Sequence, residues 1–279
     1  NWSINMKFLI IILGLFFSSA QALELNKMSG YSTFSWDEGG SEIAAYDPTR
    51  SRIFVTNNLT KTVDVLSIAN LPYTKKEISI NPRVGVGGIN SVAVSEKAGL
   101  LALAIEAENK QENGMVLFYN LATLKLAFGY SVGALPDNVA FTPDGKYALV
   151  ANEGEPNDDY SIDPKGSVSI IDLNNWFVGP SEDRIRHIYF TRNGAPEGGR
   201  IVKPGATFEQ DAEPEYIAVS GDSKHAYVSL QENNVIAKIN IEYGIVTDYF
   251  GLGYKDWSQS ALDASNKDNR INIQPWPVK

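Results

Sequence analysis

Four carboxylates crowd one short stretch of this chain, at Glu153, Glu155, Asp158 and Asp159. Brought to one place, such groups repel each other and raise one another's pKa values unless a cation neutralises them. Oxygen ligands without histidine or cysteine select a hard ion, so the metal expected here is Ca²⁺, with Mg²⁺ as the alternative. The plainer alternative is that Asp, Asn and Glu simply suit turns on a solvated face. Other chemistries find little material. There is no cysteine for a disulfide, a thiol nucleophile or a thiolate-bound zinc, and two histidines are too few for a multi-histidine centre. His225 falls on the strand position that Tyr147 holds in another repeat copy, and His187 has no partner evident from spacing. No GxSxG elbow or P-loop occurs, and the glycine run Val84 to Gly88 lacks the helix of a dinucleotide loop and reads as an inter-blade turn.

The elements that must position those carboxylates come from an internal repeat. Residues 41–58, 89–106, 136–153 and 214–231 superimpose, each with a short strand around a central alanine, a polar turn and a second apolar strand. The alanines are Ala45, Ala93, Ala140 and Ala218, at intervals of 48, 47 and 78 residues. The long interval is one period plus an insertion at about 174–207, rich in Gly, Pro and charge. Two further runs rich in β-branched and aromatic residues follow each pair, as in TVDVLSI and KKEISI or SVSIIDL and RIRHIYF. Four strands every 47 residues or so predict an all-β fold, a β-propeller of four-stranded blades. About four blades are present, the lower limit for closure, so residues 23–279 read as a C-terminally truncated part of a larger, roughly seven-bladed propeller. The stretch from Tyr254 onward reads as an inter-blade excursion.

The repeat also predicts where the acidic groups meet. Three residues before each alanine stand Glu42, Asn90, Asp137 and Glu215, and thirteen after stand Asn58, Glu106, Glu153 and Gln231. In an antiparallel hairpin the start of one strand and the end of the next share an edge, so both sets face one end of the propeller. If the first strand is innermost, the first set rings the mouth of the channel. The expected metal ligands are therefore Glu42, Asp137, Glu215, Glu106, Glu153, Glu155, Asp158 and Asp159, with Asp37, Glu38, Glu108, Glu213 and Glu232 on neighbouring loops. The cations Lys146, Lys165, Arg200 and Lys203 are not placed at that mouth by the repeat.

The chain has 33 Asp and Glu against 24 Lys and Arg, and its pI near 4.8 argues against nucleic acid, which needs a basic face. Residues 1–22 read as a signal peptide behind a short N-terminal extension: Met6-Lys7, an apolar run over 8–17, then a small-residue end with Ala20 and Ala22 at −3 and −1. Ten apolar residues are too few to span a bilayer, so no transmembrane segment is expected in the mature chain. The expected destination is the periplasm, the cell surface or the medium. Asn58-Leu59-Thr60 forms a glycosylation sequon for a source that glycosylates secreted proteins.

Residues 36–47 (WDEGGSEIAAYD), 133–173 with the EGEPNDDYSIDP stretch, 211–234 and 262–273 resemble the choice-of-anchor I β-propeller proteins, which also carry labels such as mesenchyme-specific cell surface glycoprotein or alkaline phosphatase-like. The resemblance implies a secreted or surface-displayed propeller. Two functions fit: a calcium-stabilised binding module offering its acidic face to a protein, glycan or phosphoester ligand, or a metal-dependent phosphomonoesterase in which two cations activate water and clamp phosphate. The binding module is preferred, because serine-plus-zinc phosphatase machinery cannot be assembled from these residues. N-terminal sequencing of the exported protein is expected to begin at Leu23, and an intact chain recovered from the cytosol would refute export.

Overall fold

The computed structural model describes residues 25–35, 39–82, 86–265 and 267–277. The signal-peptide reading, the cleavage site, Asp37 and Glu38 lie outside the described residues. Among those described, no helix is long and apolar enough to cross a membrane.

Four antiparallel four-stranded sheets follow one another along the chain. The first holds β1 (Ala44–Asp47), β2 (Arg52–Asn57), β3 (Thr62–Asn70) and β4 (Tyr73–Ile80). The second holds β5 (Val86–Ser95), β6 (Leu100–Ala107), β7 (Asn113–Asn120) and β8 (Leu126–Ala134). The third is β9 (Pro136–Phe141), β10 (Tyr147–Asn152), β11 (Ser167–Asp172) and β12 (Ile185–Tyr189), and the fourth β13 (Pro214–Val219), β14 (His225–Leu230), β15 (Val235–Asn240) and β16 (Ile245–Gly251). The repeat reappears in the register: Ala45 faces Phe54, Ala93 faces Ala102, Ala140 faces Leu149 and Ala218 faces Tyr227, nine positions on each time. First strands abut in chain order, β1 on β5, β5 on β9 and β9 on β13, so they are the inner edge of the fan. Among the described residues the series does not close, since β13 is not packed on β1.

Apolar packing between successive sheets fills the core. Side chains alternate across a strand, so a strand between two sheets must be apolar on both faces. In β6, Leu101, Leu103 and Ile105 pack toward the first sheet, with Phe54, Val63 and Val65, while Leu100, Ala102 and Ala104 pack toward the third, with Val139, Ala148 and Val150. In the fourth sheet, Ala226, Val228 and Leu230 of β14 are buried, whereas Tyr227 between them is exposed. Polar side chains tie the inner strands where no backbone ladder joins them. Val139 N donates to Ser91 Oγ at 3.2 Å, and Ile217 N donates to Asn138 Oδ1 at 3.2 Å. Ser91 and Asn138 each stand two residues before their repeat alanine.

Three sequence expectations need correction. Of the glycine run read as a turn, Val84 and Gly85 lie outside the described residues, while Val86 to Gly88 belong to β5, through register shifts between Val86 and Ser91. His187 does have a partner: as a β12 residue opposite Ser169, it meets Ser169 Oγ through Nδ1 at 2.9 Å. The stretch after Tyr254 holds a hairpin, β17 (Ala261–Asp263) with β18 (Ile273–Pro275), pinned by Trp276 Nε1 donating to Leu262 O at 2.9 Å. Excess sequence in the third repeat flanks β12: two short 3₁₀ turns precede it, and an irregular run leads from it to helix α1 (Phe208–Asp211).

Asn138→Ala would leave the Ile217 N–H without its acceptor at a buried inter-sheet junction, so urea unfolding is expected to show a loss of about 1–3 kcal/mol.

Candidate functional site

The same-edge rule holds in the structure. Asn58 Nδ2 donates to Glu42 Oε2 at 2.8 Å, and Asn90 Nδ2 donates to Glu106 Oε2 at 3.2 Å. In each of these repeats an amide meets a carboxylate across the hairpin, which satisfies both. The third repeat has carboxylates at both positions, Asp137 and Glu153, and no amide to separate their charges. Burial, then the charges of Asp137, Glu155, Glu215 and Glu213, push the Glu153 carboxyl up to about 8. Burial and the nearby Glu106 raise Asp137, Lys110 partly opposing them, while burial, Asp137 and Glu232 raise Glu215. Glu213 is pushed up to about 7 by burial and by Glu232, Asp211, Glu155 and Asp163.

The loop from Glu153 to Gly166 joins β10 to β11 and forms one wall of a cavity of about 350 Å³. Its neck needs glycine twice. Gly154 has φ of 72° and lies so close to Gly166 that a Cβ would come 2.7 Å from Gly166 N, while a Cβ on Gly166 would come 2.1 Å from Ala212 O. Beyond the neck, Asn157 and Asp159 build a tight turn. Ile162 N donates to Asn157 Oδ1 at 3.0 Å, and Asp159 Oδ1 accepts from Ser161 N at 3.1 Å and Ser161 Oγ at 2.6 Å. Those bonds from Ser161 hold the Asp159 carboxyl below its ordinary value.

The predicted site residues therefore divide. Glu153 feels the charges of Asp137, Glu155 and Glu215, Asp137 feels that of Glu106, and Asp158 lines the cavity with Glu153 and Glu155, whereas Asp137 and Glu215 are not part of its lining. Glu42 stands apart in the first sheet on Asn58, and Asp159 is engaged by its own turn beside Glu108 in a neighbouring depression. Asn58 is no free sequon side chain, because its Oδ1 also accepts from Ile89 N at 2.8 Å. Among the described residues, no three acidic or histidine side chains already stand together in metal-ligating geometry.

Several lining residues escaped the sequence reading. Asp163, Asp211 and Tyr160 line the cavity, and so does Lys203, which the repeat had not placed at the mouth. Lys203 sits there because the run after β12 folds back and is fastened by Asp211, whose carboxylate accepts from Val202 N and Lys203 N, both at 2.7 Å. Asn233 clamps Asp211 in turn, with Nδ2 donating to Asp211 Oδ2 at 2.7 Å. Lys203 Nζ pairs with Asp163 and lies 5.2 Å from the centre of the Tyr160 ring. An insertion has no repeat equivalent, so periodicity could not place it.

The choice-of-anchor I domain model matches residues 42–279. The chain belongs to the choice-of-anchor I family. No curated protein matches it significantly. Among solved structures, this choice-of-anchor I chain is similar to a protein from Lactobacillus plantarum, at 18% identity and TM-score 0.50 over 74% of this chain and 55% of that one. It is similar to the β-propeller domain of Cps50 (Swd1) from Myceliophteria thermophila, at 11% identity and TM-score 0.49 over 80% and 58%. A chain of a nidogen/laminin complex matches at 12% identity and TM-score 0.48 over 77% and 64%. The choice-of-anchor I chain thus spans 55% to 64% of these solved chains.

A carboxyl raised in the folded state keeps its proton after the unfolded chain has lost it, so stability falls as pH climbs between those two values. For Glu153 that window runs from the ordinary glutamate value of 4.5 to about 8. In chelator, the urea midpoint is expected to decline across that window and level off above it, and Glu153→Gln should flatten the decline.

Proposed function

We propose that this choice-of-anchor I propeller is an exported, surface-displayed binding module. Its acidic mouth takes a hard divalent cation, Ca²⁺ in preference to Mg²⁺, and its loops present that face to a protein or glycan. The observation that carries this reading is Glu153: a half-buried carboxylate set among Asp137, Glu155, Glu213 and Glu215, where the first two repeats place an amide against an acid. Folding forces those charges together, and a cation would offset the repulsion and replace the proton that Glu153 otherwise retains. The donors are all hard oxygens. Asp137, Glu153, Glu155 and Glu215 are the ligands proposed at the centre, with Asp158 on the same cavity wall as Glu155, while Glu106 is bonded to Asn90, Glu42 to Asn58 and Asp159 to Ser161.

The hydrolase alternative draws no support from the cavity's charge. Seven carboxylates line it against one lysine, and that lysine is already paired with Asp163. The surroundings repel a phosphoester more than they clamp it.

Thermal melting in Ca²⁺ and in chelator tests the proposal. Extracellular calcium modules bind at about 10⁻⁴–10⁻³ M, and a ligand at 100 times its Kd adds about 2.7 kcal/mol to the folded state. The melting temperature is expected to rise over that range of Ca²⁺, and Glu153→Gln combined with Asp158→Asn should remove most of the rise. An unchanged melting curve at about 10 mM Ca²⁺ would refute the cation site.

A further inference from the structure

A second cavity, of about 380 Å³, opens between the second and third sheets. Asn113 begins β7, Ser167 begins β11 and Tyr189 ends β12, so it lies at the same end of the sheets as Glu153, which follows the last residue of β10. Its chemistry differs from that of the acidic mouth. The two charges in its lining, Lys165 and Glu209, neutralise each other through an ion pair of 3.1 Å. What remains is neutral and suited to hydrogen bonding.

We propose that this groove binds a neutral saccharide unit. Hydroxyl-rich rings ask for groups that both donate and accept, together with an aromatic face for their C–H surface. Tyr189 is 47% exposed and supplies that face. Asn113 brings an exposed amide at the opposite sheet, with a donor and an acceptor both free among the described residues. Ser167, 2% exposed, accepts from Asn152 Nδ2 at 3.1 Å and keeps its own proton available for a ligand oxygen.

Ser167 is held in place from behind. Asn152 Nδ2 also donates to Ser169 Oγ at 2.9 Å, and Ser169 meets His187, so a chain of polar side chains crosses β10, β11 and β12. Asn152 is fully buried and its Oδ1 has no partner, which leaves one more acceptor unsatisfied beside Ser167. Gly133 lines the groove on the other side, and a Cβ there would come 2.8 Å from Ser167 Oγ and 2.7 Å from Asn152 Cβ. A side chain at 133 would crowd this polar pair. Such a floor is rigid before any ligand arrives, as small-ligand sites generally are.

A neutral-glycan array of glucose-, galactose-, mannose- and N-acetylglucosamine-terminated oligosaccharides, probed with the full chain in chelator, tests the proposal. Working in chelator separates it from the cation site, on which it does not rest. A subset of glycans is expected to be retained, and calorimetric titration of the best should show affinity falling about tenfold or more in Tyr189→Ala and in Asn113→Ala. Asp158→Asn should leave that affinity unchanged. Retention of no glycan would overturn the proposal, as would affinity indifferent to Tyr189 and Asn113. Affinity that follows Asp158 would overturn it too, by moving the ligand to the acidic cavity.

Discussion

Everything in this molecule depends on the apolar contact between one four-stranded sheet and the next. Within a sheet the backbone satisfies itself through antiparallel ladders. Between sheets there is no such ladder, so side chains must hold them: Phe54 and Val65 against Leu101 and Leu103, Phe118 and Phe128 against Val139 and Val150, Leu149 and Ile170 against Ile217 and Val228. Ser91 and Asn138 add directional bonds at the inner edge, where an apolar seam alone would leave backbone N–H groups unpaired. The acidic groups ride on this packing. Asp137 and Glu215 sit on strands and Glu153 directly follows one, so sheet packing fixes where the backbone of these three stands.

That constraint explains why the third repeat differs chemically from its neighbours. Glu42 with Asn58 and Asn90 with Glu106 show the quiet arrangement of the hairpin edge, in which an amide separates charge from charge. Asp137 with Glu153 breaks it, and the adjoining loop adds the charge of Glu155. The glycines at 154 and 166 and the buried Asp211–Asn233 bond keep the loop and the insertion close to that pair. Local rules are violated at one place and upheld around it, as is typical of functional sites.

The sheets were legible in the sequence because the alanine period and the register are one phenomenon: a residue matched by spacing at Ala140 is matched by pairing to Leu149. The shared edge of Asp137 and Glu153 was legible for the same reason. Lys203, Asp163 and Asp211 were not, since they belong to segments with no counterpart in the other copies; Lys203 is placed by the buried Asp211 carboxylate, which accepts from the Val202 and Lys203 N–H groups, and Asp163 pairs with Lys203. Asp159 shows what residue type alone leaves out: the nearest donors lie in its own turn, and its Oδ1 accepts from a serine two residues away.

Strand β6 separates what its sequence places side by side. Leu100 belongs to one interface and Leu101 to another, and so on in alternation to Ile105. Adjacent codons therefore answer to different partners: a substitution at Leu101 is compensated from the first sheet, one at Leu100 from the third, and neither from its own neighbour in the chain. Alternate letters of the same eight-residue word therefore serve two separate interfaces.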